Sequence, residues 1–162
     1  MKKNVLLIVN PISGDVDKLP IIEAIKRFSE GNNFIFHQYQ TSSTNDQSEI
    51  LKLYKEILPE RILIIGGDGT VKLVAETLEE FDVKLAIIPA GSANGLSVDL
   101  NLPTNLEQCI EIAFADKFMH IDMVSINNKK SLHLSDLGLN AQLIKNYENG
   151  STRGMLGYAI HA

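Results

Sequence analysis

The chain has 162 residues, of which 44% are hydrophobic, a mean hydropathy of +0.02 and a net charge of −5. These values predict a folded protein with a core and exclude a disordered chain, and apolar runs such as residues 5–9 are too short to cross a bilayer. The acidic balance without a basic cluster excludes nucleic acid as the main partner and strong attachment to anionic lipid, but not transient membrane contact. A single cysteine allows no internal disulfide, and a cytoplasmic location is expected.

Strands and helices alternate along the first part of the chain. Continuous aliphatic or alternating runs predict strands at residues 4–9, 33–41, 61–65 and 84–88. Apolar residues at helical spacing predict helices that begin near Leu19, at Asn45 or Asp46, near Val71 and at Thr104 as the N-cap. Aliphatic strands between helices indicate an α/β fold with an open, mostly parallel sheet that carries helices on both faces.

The pattern changes after residue 116. Two strand-like segments, residues 117–126 and 131–139, are joined by a turn at residues 127–130 and predict an antiparallel hairpin. The expected organisation is therefore an α/β nucleotide-binding domain over residues 1–116 and the beginning of a β-rich second domain over residues 117–162.

Each of the four predicted strands ends in a loop of small or polar residues. The carboxyl ends of parallel strands share one edge of a sheet, where ligands bind in open α/β folds. Glycines let backbone N–H groups approach an anion, and the start of the following helix attracts it. The candidate nucleotide-binding residues in these loops are Asn10, Pro11, Ser13, Gly14, Thr41, Gly66, Gly67, Asp68, Gly69, Thr70, Gly91, Ser92 and Asn94.

Asp68 is the only carboxylate inside the glycine-rich loop 66–70. Mg²⁺ prefers hard oxygen ligands and accompanies nucleotide phosphates, so this loop predicts a nucleoside triphosphate and Mg²⁺ as cofactors. At least one of Gly67 and Gly69 is expected to have a positive φ or to bring its N–H close to phosphate. Any one of these loops alone is more simply a turn, a strand end or a helix cap, and only the set of four indicates a nucleotide site.

Known phosphate-binding fingerprints are absent from the sequence. It contains neither Gly-x-x-x-x-Gly-Lys-[Ser/Thr] nor Gly-x-Gly-x-x-Gly, which excludes a Walker-type loop and the dinucleotide fingerprint. The glycine-rich loop has no lysine, so backbone N–H groups and hydroxyls are expected to hold the phosphates.

Three segments together resemble the diacylglycerol kinase catalytic domain superfamily, which includes bacterial lipid kinases, sphingosine kinases and ceramide kinases. They are NPISG at residues 10–14, GGDGT at 66–70 and PAGSANGL at 89–96. The resemblance implies an N-terminal α/β nucleotide domain, a C-terminal β-sandwich domain and transfer of the γ-phosphoryl group of ATP to a lipid hydroxyl, such as that of diacylglycerol or a sphingoid base.

The resemblance also implies roles for individual residues. Residues 10–14 look like the first nucleotide-contacting loop, Thr41 like a threonine that touches ATP, and residues 66–70 like the phosphate cradle. Ser92 occupies the Ser/Thr position of a Pro-x-Gly-[Ser/Thr] motif. Asp68 looks like the catalytic, Mg²⁺-organising carboxylate. Asp122 matches an aspartate that joins the metal–water network, although an exposed strand carboxylate is a rival interpretation.

The sequence departs from the family pattern at Gly95. Many bacterial members have Asn-Asp where this chain has Asn94-Gly95, which is closer to the sphingosine kinase style, so the identity of the lipid stays open. Two alternatives are a small-molecule kinase of the NAD kinase type, which PAGSANGL disfavours, and a nucleotide-binding module without turnover.

The second part of the sequence looks truncated. The resembled family has its general base in an Asp-Gly-Glu-like stretch late in the second domain, and no such stretch occurs here. We therefore expect the base to lie beyond Ala162 and the isolated chain to transfer no phosphate. The hairpin and a helix-like stretch at residues 155–162 are expected to cover their apolar faces by folding back on the first domain or by forming a homo-oligomer.

Overall fold

The computed structural model describes residues 2–132. Six strands and five helices occur in this range, in the following order: β1 (Lys3–Val9), α1 (Leu19–Glu30), β2 (Phe34–Gln40), α2 (Asp46–Ile57), β3 (Arg61–Gly66), α3 (Asp68–Thr77), β4 (Lys84–Pro89), α4 (Gly95–Asp99), α5 (Leu106–Phe114), β5 (Val124–Ile126) and β6 (Lys129–Ser131).

The first four strands form one parallel sheet in the order β2-β1-β3-β4. In this register Leu7 of β1 lies beside Leu63 of β3, and Ile65 lies beside Ile88 of β4. All four strands therefore end at the same edge of the sheet, as predicted, and the α/β fold class is confirmed.

Helices cover both faces of the sheet because side chains alternate between the faces along each strand. Val5, Leu7 and Val9 of β1 belong to a core that also contains residues of α1 and α5. Leu6 and Ile8 are fully buried on the opposite face, where α2 and α3 contact β1 and β3. A strand that is buried on both faces reads as the continuous aliphatic run seen in the sequence.

Arg61 fastens helix α5 at the other edge of the sheet. Its side chain is 2% exposed and donates hydrogen bonds to the carbonyl oxygens of Ala113 and Ala115 and to Glu60 Oε1. The guanidinium also lies within 6 Å of the Phe34 and Phe114 rings. A cation here satisfies the last carbonyls of the helix, where the helix dipole favours positive charge.

Two helical details differ from the predicted elements. Asn105, not Thr104, is the N-cap of α5, and its Oδ1 accepts a hydrogen bond from the Gln108 N–H at 3.0 Å. The loop after β4 also contains the short helix α4, which was not predicted. Its five residues are too few to show a helical period.

The hairpin differs from the prediction in its first strand and in its turn. The first strand of the hairpin is only Val124–Ile126, and the turn is Asn127-Asn128 rather than residues 127–130. Both asparagines have positive φ, 50° and 63°, as a two-residue type I′ turn requires. Lys129 and Lys130 therefore belong to β6 and pair with Ile126 and Ser125 of β5.

The chain divides into two compact units, with the first ending at Ile121 and the second beginning at Asp122. The rest of the predicted second hairpin strand and the helix-like stretch at residues 155–162 lie outside the described residues. Among the helices of residues 2–132, none has both the length and the apolar character that crossing a membrane demands.

Candidate functional site

The loops that follow β1 and β3 are joined by a side-chain hydrogen bond. Asn10, directly after β1, donates from Nδ2 to Thr70 Oγ1 at 3.0 Å, and its backbone N–H donates to the Ile65 carbonyl at 2.9 Å. Thr70 is buried in the first turn of α3. These contacts fix the first loop beside the start of α3.

The loop after β1 also contacts the loop after β4. Ser13 Oγ lies 3.1 Å from the carbonyl oxygens of Asn10 and Ala90 and can donate its proton to either. Gly14 has φ +55°, and a Cβ at this position would lie 2.9 Å from the Ala90 oxygen. Glycine is therefore required there by conformation and by space. Pro11 is exposed.

Lys18 secures the far end of this first loop. It is buried, and its Nζ donates to the carbonyls of Ser13 and Val16 at 2.6 Å each. Burial lowers the pKa of the Lys18 ammonium, against the opposing effect of Asp17 and Asp15. Lys18 is not among the site residues expected from the sequence, since one lysine before a helix gives no signal of burial.

The loops after β3 and β4 touch through glycines. A Cβ on Gly67 would lie 3.0 Å from the Gly91 Cα, and a Cβ on Gly91 would collide with the Gly67 Cα. A Cβ on Gly66 would lie 2.6 Å from Thr70 Oγ1. Neither Gly67, whose φ is −102°, nor Gly69 has a positive φ, so the expectation for these two glycines stays a prediction in its other form, an N–H group close to phosphate. Close backbone approach is the reason for glycine at position 67.

Gly69 differs from its neighbours in the glycine-rich loop. It is exposed in the first turn of α3, and a Cβ at this position would meet no atom within 4 Å. Space beside the start of a helix is suited to an anion, because the helix dipole and the first N–H groups favour negative charge.

Asp68 connects two helices. It is the first residue of α3, and its Oδ2 and Oδ1 accept hydrogen bonds from the backbone N–H groups of Gly95 and Leu96, at 2.8 and 2.9 Å. Gly95 and Leu96 are the first residues of α4. The carboxylate thus satisfies two N–H groups that a helix start leaves without partners.

The same carboxylate has limited capacity for a metal ion. Within residues 2–132, no group of three or more His, Cys, Asp or Glu side chains is arranged to hold one. Each Asp68 oxygen keeps a lone pair beyond its N–H contact, and Mg²⁺ in nucleotide sites is often held by one or two carboxylates together with phosphate oxygens and water. Asp68 fits that restricted role.

Asn94 closes the loop after β4 on itself. It has φ +54°, and its side chain accepts from the Gly91 N–H at 2.8 Å and donates to the Gly91 carbonyl at 2.9 Å. Ser92, within this loop, is exposed. Asp122 is also exposed and belongs to the second unit.

An open cavity of about 550 Å³ lies beside these loops at the carboxyl edge of the sheet. Its lining includes four predicted residues: Asn10, Thr41, Gly69 and Thr70. Five further lining residues were not predicted as site residues: Ser43, Asn45, Asp46, Gln47 and Leu73. The other predicted residues that lie in the loops after β1, β3 and β4 are outside this lining.

Asp46 is the most constrained of the lining residues that were not predicted. It is 8% exposed, and its carboxylate accepts from Tyr39 OH at 2.7 Å and from the Ser42 and Ser43 N–H groups at 2.9 Å each. Burial alone would raise the pKa of the Asp46 carboxyl, but the hydrogen bonds from Ser42, Tyr39 and Ser43 hold it below its usual value. Burial and the bond to Asp46 raise the pKa of Tyr39 to about 12.

A usable signal for Asp46 was present in the sequence. The residue lies at the start of a helix that follows a polar loop at the carboxyl edge, although from the sequence it is expected only as a candidate helix cap. The hydrogen bond that it accepts from Tyr39, seven residues earlier, has no mark in the sequence.

Comparisons with known proteins agree with this arrangement. Residues 4–126 match the profile of the diacylglycerol kinase catalytic domain. A relative from Enterobacter sp. (strain 638) with the name "Probable lipid kinase YegS-like" is 29% identical over 128 residues, which cover 76% of this chain and 42% of the relative. An "Uncharacterized protein sll0036" from Synechocystis sp. is 30% identical over 86% of this chain and 34% of its own length.

Among solved structures, a diacylglycerol kinase from Bacillus anthracis str. Sterne superposes with a TM-score of 0.60 and 26% identity. The superposition covers 79% of this chain and 47% of that one. The chain thus spans less than half the length of these relatives. The matched residues contain the sheet and the loops at its carboxyl edge, and on that basis the chain belongs to the diacylglycerol kinase catalytic domain family.

Proposed function

We propose that this chain is the nucleotide-binding part of an ATP-dependent lipid kinase, which transfers the γ-phosphoryl group of ATP to a lipid hydroxyl. The observation that carries the proposal is the cavity at the carboxyl edge of the sheet, where Asn10, Thr41, Gly69 and Thr70 share one lining. The family and the name of the Enterobacter relative support a lipid kinase rather than another use of the nucleotide.

The chain's own residues would hold and orient the nucleotide. The start of α3 at Gly69 offers N–H groups to phosphate oxygens, and the Thr70 hydroxyl, held by Asn10, is fixed beside them. Thr41 is anchored through its N–H to the Val9 carbonyl at 2.9 Å. Mg²⁺, when bound, neutralises phosphate charge, and Asp68 is the residue that would help to hold it. Alignment and charge stabilisation are the main tasks of a phosphoryl-transfer site.

The lipid hydroxyl would be reached from a membrane surface by transient contact of a cytoplasmic protein. Support comes from three apolar side chains at and after the first loop, Ile12, Val16 and Leu19, which are exposed by 61%, 51% and 65%. Ile12 follows Asn10 of the cavity lining by two residues, and a kinase that acts at a bilayer can use exposed apolar side chains of this kind.

Two assays test the proposal. Isothermal titration of the purified protein with ATP and Mg²⁺ should show saturable binding. The full gene product, incubated with labelled ATP, should phosphorylate either vesicles that contain diacylglycerol or a sphingoid base. Transfer to NAD instead would identify a small-molecule kinase, binding without transfer to any acceptor would identify a nucleotide-binding module, and absence of ATP binding would overturn the proposal.

A further inference from the structure

The loop between β2 and α2 is held by one buried carboxylate. The Asp46 side chain gathers three donors within 2.9 Å, from Tyr39 at the end of β2 and from the backbone of Ser42 and Ser43. Hydrogen bonds to an ionised carboxylate are stronger than those between neutral groups. Asp46 therefore contacts this loop at three points, and the Ser42 hydroxyl adds a contact to the Thr44 carbonyl at 3.0 Å.

Two residues of this loop adopt a left-handed backbone conformation that is uncommon for residues other than glycine. Ser43 has φ +66° and Asn45 has φ +58°, both in the left-handed region. Non-glycine residues persist there only when the surrounding structure fixes them. The Ser43 N–H donates directly to Asp46, and Asn45 immediately precedes Asp46 in the chain. Asp46 supplies the constraint that this conformation needs.

Ser43 and Asn45 are also part of the cavity lining. The lining combines two kinds of residue. Gly69 and Thr70 lie in the first turn of α3, which favours phosphate. Leu73 lies one turn further along α3, and it joins the amide side chains of Asn45 and Gln47 in the lining. An apolar residue with amides is suited to the flat face and polar edge of a nucleoside base.

We propose that Asp46 is a positioning residue that sets the nucleoside-facing wall of the cavity through Ser43 and Asn45. The proposal rests on the proposed nucleotide site and adds that the affinity for the nucleoside part of the ligand depends on this carboxylate. Asp46 itself is 8% exposed, so it acts through the loop that it holds.

Asp17 shows what an ordinary aspartate at a helix start does in this protein. It lies on the same edge of the sheet, is exposed, and accepts one backbone hydrogen bond, from the Leu19 N–H at 3.0 Å. It lies outside the cavity lining. The variant Asp17→Asn is therefore a matched control for Asp46→Asn, since both remove one charge next to a helix start.

The test compares two ligands that share the phosphates but not the nucleoside: ATP and inorganic tripolyphosphate, each with Mg²⁺. In Asp46→Asn, an amide N–H₂ group replaces one carboxylate oxygen and faces a donor from which that oxygen accepted a hydrogen bond. The loop is therefore held less firmly. We expect the dissociation constant for ATP to rise about tenfold, with tripolyphosphate binding unchanged. Asp17→Asn should bind both ligands as the wild type does.

The outcomes separate this proposal from the one beneath it. Equal losses for ATP and tripolyphosphate, or no loss for either, would overturn the positioning role while the nucleotide site stands. A wild-type protein that binds neither ligand would overturn both. If Asp46→Asn does not fold, as thermal unfolding without ligand would show, Asp46→Ser replaces it, because serine suits a helix start but cannot hold both N–H groups. The same selective loss is expected of it.

Discussion

Gly69 and Gly67 are two residues apart, yet the structure gives them different reasons to be glycine. Gly67 lies against the backbone of Gly91, whereas a side chain on Gly69 would enter open space next to the cavity. A substitution at Gly67 thus strains the fold itself, and one at Gly69 acts on whatever occupies the cavity. This difference allows a change in ligand affinity to be separated from a change in stability.

Gly69→Val should reduce ATP affinity at least about tenfold and change the free energy of unfolding by less than about 1 kcal/mol. The branched side chain would occupy space beside the start of α3 where phosphate is expected. Titration with ATP and urea denaturation check the two effects. Gly31→Val is the matched control, since Gly31 ends α1 and the nearest atom to its Cβ is 3.8 Å away. Unchanged ATP affinity in Gly69→Val would remove this glycine from the site.

Tyr39 predicts an alkaline limit of stability. Its pKa is raised to about 12 in the folded protein, above the value of about 10 in an unfolded chain. A raised pKa contributes stability that is fully present below the unfolded value and is lost as pH rises through the folded one. The stability of the wild type should therefore fall between pH 10 and 12 by a component that Tyr39→Phe lacks. Urea midpoints measured across that range give the comparison, and parallel curves for the two proteins would contradict the prediction.

At the scale of the elements, Asp68 links the starts of α3 and α4. From the sequence it is expected to help to hold Mg²⁺, and that role remains a prediction. The two hydrogen bonds to Gly95 and Leu96 give the same carboxylate a second task. They also explain how α4, with only five residues, has a defined start.

Asp68→Asn should lower the free energy of unfolding by about 1–3 kcal/mol in the absence of nucleotide and metal. The amide offers one acceptor where the carboxylate offered two, and its N–H₂ group faces the second backbone donor. Urea denaturation measures the loss, with Asp15→Asn as a control at an exposed carboxylate of the first loop. If Asp68→Asn is as stable as the wild type, the link contributes nothing, and any loss of ATP binding then reports on the ligand alone.

For the molecule as a whole, charge opposes the proposed ligand. The net charge is −5, and the residues that line the cavity in the described part of the chain include Asp46 but no Lys or Arg. Lys18, a buried cation at this edge, donates its hydrogen bonds to backbone carbonyls. A nucleoside triphosphate without a counter-cation would therefore be repelled.

Removal of divalent ions should accordingly weaken ATP binding strongly. With EDTA we expect at least about a tenfold loss of affinity, since no Lys or Arg of residues 2–132 lines the cavity in place of the metal. Adenosine, which carries no phosphate, is the control ligand and should be unaffected. Titrations of both ligands with and without EDTA test this, and equal ATP affinity in the two conditions would show that backbone N–H groups suffice.

The sheet could be predicted from the sequence because burial on both faces leaves a direct record. Residues 62–65 are continuously apolar and lie within β3. The partnership of Asn10 with Thr70 could not be predicted, because it joins residues 60 positions apart. The loops were identified by composition, which indicates what chemistry they suit but not which residues share a cavity.

The short helix α4 and the contacts of the buried Asp46 could not be predicted from the sequence. Helix α4 has a start set by Asp68, a residue far away in sequence, and has no period of its own. Asp46 resembles any helix cap until Tyr39 and the loop backbone close around it. In both cases a long-range or backbone contact, rather than the identity of the residue, determines the structure.

The contact between Gly67 and Gly91 has a consequence for how this protein tolerates mutation. Each glycine occupies the space that a Cβ on the other would need, so neither position can compensate for a change at the other. In a library that randomises both positions and selects for folded protein, we expect only the double glycine to survive. Gly69, randomised in the same way, should accept many residues under selection for folding and few under selection for nucleotide binding. The pattern of survivors would thus distinguish Gly67 and Gly91, which the fold requires, from Gly69, which the bound nucleotide requires.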